Sequence, residues 1–180
     1  MVYCFLADGF EELEAIAPID ILRRADIKVT TVGVTGKTVT GSHNICVAAD
    51  IVIDDFNLNE TPEAIILPGG MPGALNLENS AAVQNAIDFA YEKGAYICAI
   101  CAAPQILGHK GLLRSKEAIA YPGFEKELEG AVISSEYVAV DGKFITAKGA
   151  GVAAEFGLAI VTALKGKTVS DAIKAAIQMK

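Results

Sequence analysis

The chain has 180 residues, of which 52% are hydrophobic, so it is long and apolar enough to bury a sizeable core as one domain over residues 1–180. Its net charge of −7 repels phosphate backbones, so we expect no nucleic-acid partner and no polyanionic ligand unless a local pocket reverses the sign. We find no leader pattern or membrane-spanning apolar run, and four cysteines are too few for a disulfide framework. We therefore expect a cytoplasmic protein with free thiols and no membrane contact.

Short apolar stretches alternate with helical patterns along the chain. In chain order, we predict a strand at 2–7, a helix at 11–25, a strand at 27–34, extended segments joined around Gly41 at 37–50, a strand at 64–70, a helix at 80–94, a strand at 95–100, a helix beginning at 102, short β segments near 117–120, 131–134 and 137–147, and closing helices at 152–166 and 168–180. Pro18 predicts a kink, Ser80 and Thr168 are predicted N-caps, and Gly94 is expected to end its helix.

This alternation predicts the fold class. Short apolar strands separated by helices are typical of a mostly parallel central sheet with helices on both faces, which is an α/β doubly wound sandwich. In such sheets the functional crevice lies beyond the carboxyl ends of the strands. We therefore expect the functional residues within 7–14, 68–73 and 100–104.

The stretch YICAICAAP holds Cys98 and Cys101 at the spacing of a C-x-x-C motif. Strand alternation places the two side chains on opposite faces, which does not allow the close approach that a disulfide needs. A zinc site would need a second cysteine pair, whereas Cys4 and Cys46 stand alone. We therefore expect no metal and no redox pair, with Cys98 buried as a small hydrophobic side chain.

Cys101 stands where a strand ends and a helix begins, followed by Ala102 and Ala103. This is the arrangement of a nucleophile elbow with cysteine in the place of serine. A helix N-terminus beside the sulfur would lower the pKa of the thiol and favour the thiolate. The alternative is another buried cysteine, and this stretch alone leaves both interpretations open.

Two other segments bear on that choice. Gly70 ends a neighbouring strand and could aim its N–H at a substrate oxygen, although a tight turn explains the glycine equally well. The stretch 8–14 holds three glutamates that favour a helix N-terminus, and one of them could face the crevice. A carboxyl group beside a thiolate would be protonated, and it could then shuttle protons.

Four ordered motifs now identify a resemblance that runs nearly from end to end. They are LADGFEELEAIAPIDILRRADIKV, ILPGGMPGALNL, AICAAP and KGAGVAAEFGLAIVTALKGK. Together they resemble the ThiJ/PfpI superfamily, and more closely its DJ-one branch, which contains the parkinsonism-associated protein deglycases. The resemblance implies a flavodoxin-like sandwich, a homodimer and no cofactor, and the apolar stripe of the helix at 11–25 is our candidate for the dimer interface.

The resemblance also implies roles for single residues. The nucleophilic, oxidation-sensitive cysteine of the family falls on Cys101, and its partner glutamate falls on Glu14 rather than Glu11 or Glu12. The backbone donors of the oxyanion site fall on Gly70 and Ala102. The glycine-rich loop falls on Gly149–Ala150–Gly151, where the family more often has proline at the middle position.

Histidine positions depart from the family pattern. The PfpI-type peptidases carry histidine directly after the cysteine, where this chain has Ala102, which argues against a Cys-His peptidase. Other members of the branch have a histidine where this chain has Tyr121, which offers a hydroxyl but no neutral-pH base. We place His43 as the basic residue near the pocket mouth and expect His109 to be structural.

The sequence and the resemblance lead to three hypotheses about function, which we rank. The first is a glyoxalase or deglycase that acts on methylglyoxal-type dicarbonyls or their adducts through Cys101 and Glu14. The second is a redox-sensing stress-response protein or chaperone, in which Cys101 is oxidised to a sulfinate held by Glu14. A peptidase or amidase ranks third because of Ala102. The sequence does not separate the first two, since the same thiol serves both.

Overall fold

The computed structural model describes residues 1–57 and 61–180, which contain eleven strands and six α-helices. The strands are β1 (Val2–Leu6), β2 (Val29–Gly33), β3 (Thr38–Thr40), β4 (Cys46–Ala48), β5 (Ile51–Val52), β6 (Ala64–Leu67), β7 (Tyr96–Ile100), β8 (Glu117–Ala118), β9 (Val132–Ile133), β10 (Val138–Asp141) and β11 (Phe144–Ala147). The helices are α1 (Glu12–Arg24), α2 (Gly73–Glu78), α3 (Ala81–Glu92), α4 (Pro104–His109), α5 (Ala153–Lys165) and α6 (Lys167–Ala176). No helix in these ranges is long and apolar enough to cross a membrane.

The described ranges place seven strands in one central sheet, in the order β10-β11-β7-β6-β1-β2-β5. All neighbours in it pair in parallel except β10 and β11, which form an antiparallel hairpin at one edge. The predicted α/β sandwich with a mostly parallel sheet is confirmed. The carboxyl ends of β1, β6 and β7 lie side by side in the middle of this sheet, so the segments that follow them meet at one edge.

Alternation along each central strand divides the core into two layers. In β1, Val2, Cys4 and Leu6 pack towards α1 and α5, whereas Tyr3 and Phe5 pack towards α2, α3 and α4. The same alternation in β7 sends one set of side chains to each layer. Because both faces of the sheet are covered by helices, its strands read as continuous apolar runs in the sequence.

Most element boundaries agree with the prediction, and the disagreements have local causes. The extended segments around Gly41 are the antiparallel pair β3–β4, and Ser80 caps α3 by accepting the N–H of Val83 at 3.4 Å. Thr168 is not an N-cap, because α6 begins at Lys167 directly after Gly166, whose φ of 88° ends α5. The short elements β5 and α2 were not predicted, since two and six residues show little periodicity.

Candidate functional site

Cys101 lies directly after β7 in a backbone conformation that side chains rarely adopt. Its φ is +65°, and two hydrogen bonds hold it there: its N–H donates to the carbonyl of Ala147 at 2.8 Å, and its carbonyl accepts the N–H of Tyr121 at 2.8 Å. The side chain is half-buried at the sheet edge. This positive-φ turn between strand and helix is the geometry of a nucleophile elbow, and such strain is typical of functional sites.

Cys98 differs from Cys101 in its burial and in its surroundings. It is fully buried inside β7 among the side chains that face α1 and α5. Burial raises the pKa of its thiol well above the ordinary value. Each of the four cysteines, all of which lie in the described residues, is a free thiol. The strand therefore separates a buried thiol from one that faces the crevice.

Glu14, in the first turn of α1, brings a carboxyl group to the thiol. The residue is only 1% exposed, and its Oε2 accepts the N–H of Gly69 at 3.0 Å. Within the described residues, Oε1 of Glu14 has no hydrogen-bond partner. Weaker interactions with the Cys101 side chain and the Ala150 N–H nevertheless lower the pKa of Glu14. Burial, together with the charge of Glu11, outweighs them and raises the pKa of Glu14 to about 7.

The thiol and the carboxyl group titrate as a pair. Burial, and after it the charge and hydrogen bond of Glu14, raise the pKa of Cys101 to about 12, while the N–H groups of Gly70 and Ala102 lower it. Our expectation of a lowered thiol pKa is therefore wrong, because burial and a neighbouring carboxylate outweigh the backbone donors. Between the two deprotonations the pair carries one negative charge, and moving one proton across the contact converts thiol and carboxylate into thiolate and carboxylic acid.

The two glycines after β6 allow this close approach. A Cβ on Gly69 would lie 2.6 Å from Glu14 Oε2 and 2.7 Å from the Cβ of Cys101. Gly70 has a φ of +86°, and a Cβ there would meet the backbone N of Glu11 at 2.4 Å. The structure thus brings together Cys101, Glu14, Gly70 and Ala102, the four residues predicted for the site. All four come from the carboxyl-terminal edge of the sheet.

The three clustered glutamates have three separate partners. Glu11 caps α1, with its side chain accepting the N–H of Glu14 at 2.9 Å. Glu12 holds the turn between β3 and β4, accepting the N–H of His43 at 2.8 Å and contacting the His43 ring at 2.9 Å. Burial raises the pKa of Glu12, but these and other hydrogen bonds outweigh it and lower the pKa to about 2. Of the three, only Glu14 reaches Cys101.

Neither histidine forms a pair with Cys101 in the described structure. The His43 ring contacts Glu12, and together with Glu11 they place one possible metal-ligand atom each within 4.8 Å of one another. His109 lies between two carboxylates, with Nδ1 at 2.5 Å from Glu78 and Nε2 at 3.1 Å from Glu127. These contacts raise the pKa of both histidines and account for their positions.

Comparison with known proteins identifies the family of this chain. The sequence profile of the DJ-1/PfpI family matches residues 1–163. The chain belongs to the DJ-1/PfpI family. It is 34% identical to the zebrafish (Danio rerio) Parkinson disease protein 7 homolog over 97% of this chain and 95% of that protein.

Two further family members are informative. The Caenorhabditis elegans protein named glutathione-independent glyoxalase DJR-1.2 is 30% identical over 91% of this chain and 87% of that protein. The structure described as oxidized Toxoplasma gondii DJ-1 is 36% identical, with a TM-score of 0.95 over 99% of this chain and 97% of that one.

Sequence reasoning missed one residue of this DJ-1/PfpI site. Gly69 donates its N–H to Glu14 and leaves room for both reacting side chains, yet only Gly70 was singled out from the pair. The glycine pair itself could have indicated Gly69, since each of two successive glycines after a buried strand lets other atoms approach the backbone closely. Tyr121, where the resemblance leads us to expect histidine, is half exposed, and its backbone N–H donates to the carbonyl of Cys101.

Proposed function

We propose that this protein is a cysteine-dependent glyoxalase or deglycase that acts on methylglyoxal-type dicarbonyls or their adducts with thiols and amines. The observation that carries the proposal is the buried Glu14 carboxyl group, which interacts with the Cys101 side chain and has one oxygen, Oε1, without a hydrogen-bond partner among the described residues. A pKa of about 7 lets this group both take and return a proton near neutral pH. A homologue named as a glutathione-independent glyoxalase supports the same reaction class.

The residues fit each step of the conversion of methylglyoxal to lactate. Sulfur of Cys101 bonds to the aldehyde carbon, and the thiol proton passes through Glu14 to the former aldehyde oxygen. The N–H groups of Gly70 and Ala102 face the sulfur and stabilise negative charge that develops there. Glu14 then removes the proton from the former aldehyde carbon and returns it to the adjacent carbon, while the hydroxyl proton on the first carbon moves to the oxygen of the second. A thioester and an alcohol result.

Water closes the cycle. It attacks the thioester carbon, the C–S bond breaks, and lactate leaves as the thiol is regenerated. The sum is methylglyoxal plus water giving lactate and a proton, with one carbon oxidised and its neighbour reduced. No external oxidant or reductant takes part, so the balance closes with Cys101, Glu14 and water alone.

Lactate formation from methylglyoxal by the purified protein tests this proposal. We expect Cys101→Ser and Glu14→Gln each to abolish turnover, whereas Cys98→Ala, which removes a sulfur from the core behind the site, retains it. We also expect kcat/KM to rise as the pH increases through about 7, because the base that removes the carbon-bound proton is the ionised Glu14. Turnover at the wild-type rate in Cys101→Ser would refute the mechanism.

A second function, redox sensing without significant turnover, is favoured by one feature of the site. The Cys101 sulfur interacts with the backbone N–H groups of Gly70 and Ala102 and with the Glu14 carboxyl group, which when protonated could donate to a sulfinate oxygen. Mild peroxide should then add two oxygens, and peptide mapping should place them on Cys101. Oxidation mainly at Cys98, or a Cys98–Cys101 disulfide, would contradict this function.

We also propose a homodimer formed through α1. Leu13 and Ile16 on this helix expose 59% and 42% of their surface. Exposed apolar side chains on a buried helix are typical of an interface.

A peptidase or amidase remains the weakest candidate, because both histidines of the chain are engaged by carboxylates.

A further inference from the structure

A groove on the surface lies beside the proposed catalytic pair and is not explained by methylglyoxal. We call it the tyrosine groove; it is lined by Tyr121, Pro122, Tyr137, Lys148, Gly149, Ala150, Gly151 and Val152. Its volume is about 390 Å³, within the range that pockets for drug-sized ligands occupy. Methylglyoxal has only a methyl group beyond its two carbonyl carbons, so it would leave most of this space empty.

Gly149, which lines the groove, is also next to the Glu14 carboxyl group of the site. A Cβ on that residue would lie 3.3 Å from Cδ2 of Tyr121 and 3.9 Å from Oε1 of Glu14. Tyr121 is in turn tied to the elbow, because its N–H donates to the carbonyl of Cys101. A substrate whose carbonyl carbon is attacked by Cys101 can therefore extend its substituent past Gly149 into the groove.

Two tyrosines form the exposed sides of the groove. Tyr121 and Tyr137 expose 50% and 60% of their surface, which is unusual for large aromatic side chains in a groove that holds mostly apolar groups. A planar ring bound between or against them would bury apolar area and gain aromatic contacts. The substituent that the groove suits is therefore an aromatic ring rather than a short aliphatic chain.

Lys148 sets the charge of the groove. It is the one charged residue among the described residues that line it, in a protein with a net charge of −7. Its Nζ lies 4.7 Å from the centre of the Tyr137 ring, and the described residues offer it no carboxylate partner. The Lys148 N–H also donates to the carbonyl of Tyr137 at 2.9 Å, which holds the two residues side by side. A cation without a counter-ion beside an aromatic wall favours an anionic ligand.

We propose that the tyrosine groove binds the ring of an aromatic 2-oxoaldehyde that carries a carboxylate, with Lys148 pairing to that carboxylate. This substrate class rests on the proposed glyoxalase function, since the oxoaldehyde end reacts at Cys101. The groove is then a locally positive surface on a protein whose net charge is negative. Lys148 acts here as a specificity-determining residue that contacts the distal end of the substrate.

The kinetic test compares 4-carboxyphenylglyoxal with phenylglyoxal, which differ only in the distal carboxylate. We expect the wild type to have a kcat/KM about tenfold higher for the carboxylated compound, as one charge-assisted hydrogen bond contributes. Lys148→Met should bring the ratio close to one. Lys143→Met is the matched control, because Lys143 also lies over a tyrosine ring, 3.9 Å from the centre of Tyr96, but outside the groove. A wild-type ratio near one, or a ratio that Lys148→Met leaves unchanged, would overturn the proposal.

A binding measurement separates this proposal from the proposed function. The probe is 4-(hydroxymethyl)benzoate, an unreactive benzoate, titrated into Cys101→Ser and followed by NMR. Saturable binding that Lys148→Met abolishes and Lys143→Met retains supports the groove even if no dicarbonyl is turned over, in which case only the proposed reaction fails. Absence of binding, which is the result expected if a second copy of the chain covers the groove, would overturn the proposed ligand site, whether or not the protein turns over dicarbonyls.

Discussion

Replacing Glu14 by glutamine tests whether burying this carboxyl group makes folding pH-dependent. The pKa of Glu14 rises from 4.5 to about 7 on folding, mainly because the residue is buried, and it is only 1% exposed. A raised pKa means that the folded state binds the proton more tightly than the unfolded state. The group therefore favours folding fully below pH 4.5, and this contribution is lost as the pH rises through about 7.

The magnitude follows from the size of the shift. At 1.36 kcal/mol per pKa unit, the shift corresponds to about 3 kcal/mol between low and high pH. Between pH 5.5 and 8.5, a range that avoids the isoelectric point near 4.8, about 2 kcal/mol of this should be lost. Glutamine carries no charge, yet it keeps an oxygen that can accept the Gly69 N–H, so Glu14→Gln should remove this pH dependence.

Urea unfolding of both proteins across that pH range measures the difference. Titrations of His43 and His109 are common to both proteins and cancel. Glu92→Gln, which removes an exposed carboxylate from the end of α3, is the control and should follow the wild type. If Glu14→Gln loses stability with pH as steeply as the wild type does, the carboxyl group is not a buried titrating group, and the proton shuttle we derive from it fails as well.

Three further variants test other parts of the structure. Gly69→Ala should cost about 1–3 kcal/mol of unfolding free energy and most of the turnover, because its Cβ would overlap Glu14 and Cys101; unchanged activity would contradict the close approach. His109→Gln should destabilise the protein more at pH 6 than at pH 9, since Glu78 and Glu127 raise the pKa of His109 and favour folding of its charged form; equal effects in thermal unfolding would argue against this pairing. Leu13→Ser with Ile16→Ser should shift sedimentation from dimer to monomer, and an unchanged dimer would exclude α1 as its interface.

Much of the fold could be predicted because its signals are local. Alternating side chains within 2–7 and 95–100, and helical periodicity within 11–25 and 80–94, are each visible in a few residues. The prediction that Thr168 caps the last helix was wrong, because Gly166, with its positive φ, precedes a helix that begins at Lys167. Short elements such as β5 are stabilised by pairing with β2, which no local pattern records.

The candidate site was predicted only in part because its chemistry depends on distant contacts. Position after a strand and small following residues make Cys101 a candidate nucleophile, and the family resemblance decides between this and a buried cysteine. The pKa of its thiol was predicted in the wrong direction, because the opposing causes are burial and a carboxyl group 87 positions earlier in the chain. The choice of Glu14 among three glutamates came from the family resemblance, and only the structure shows Glu11 and Glu12 engaged elsewhere.

The sequence by itself determined the α/β class, the family and the position of the candidate nucleophile, since these depend on periodicity and on motifs that are continuous in the chain. Tertiary structure alone decided that Gly69 lies against the side chains of Glu14 and Cys101 and that burial and the Glu14 carboxyl group raise the pKa of the Cys101 thiol. It also decided that Lys148 stands beside Tyr137 in a groove whose other lining residues are uncharged. The physical reason is that burial and charge pairing depend on which segments meet in space, and the meeting of strand ends is a property of the folded sheet.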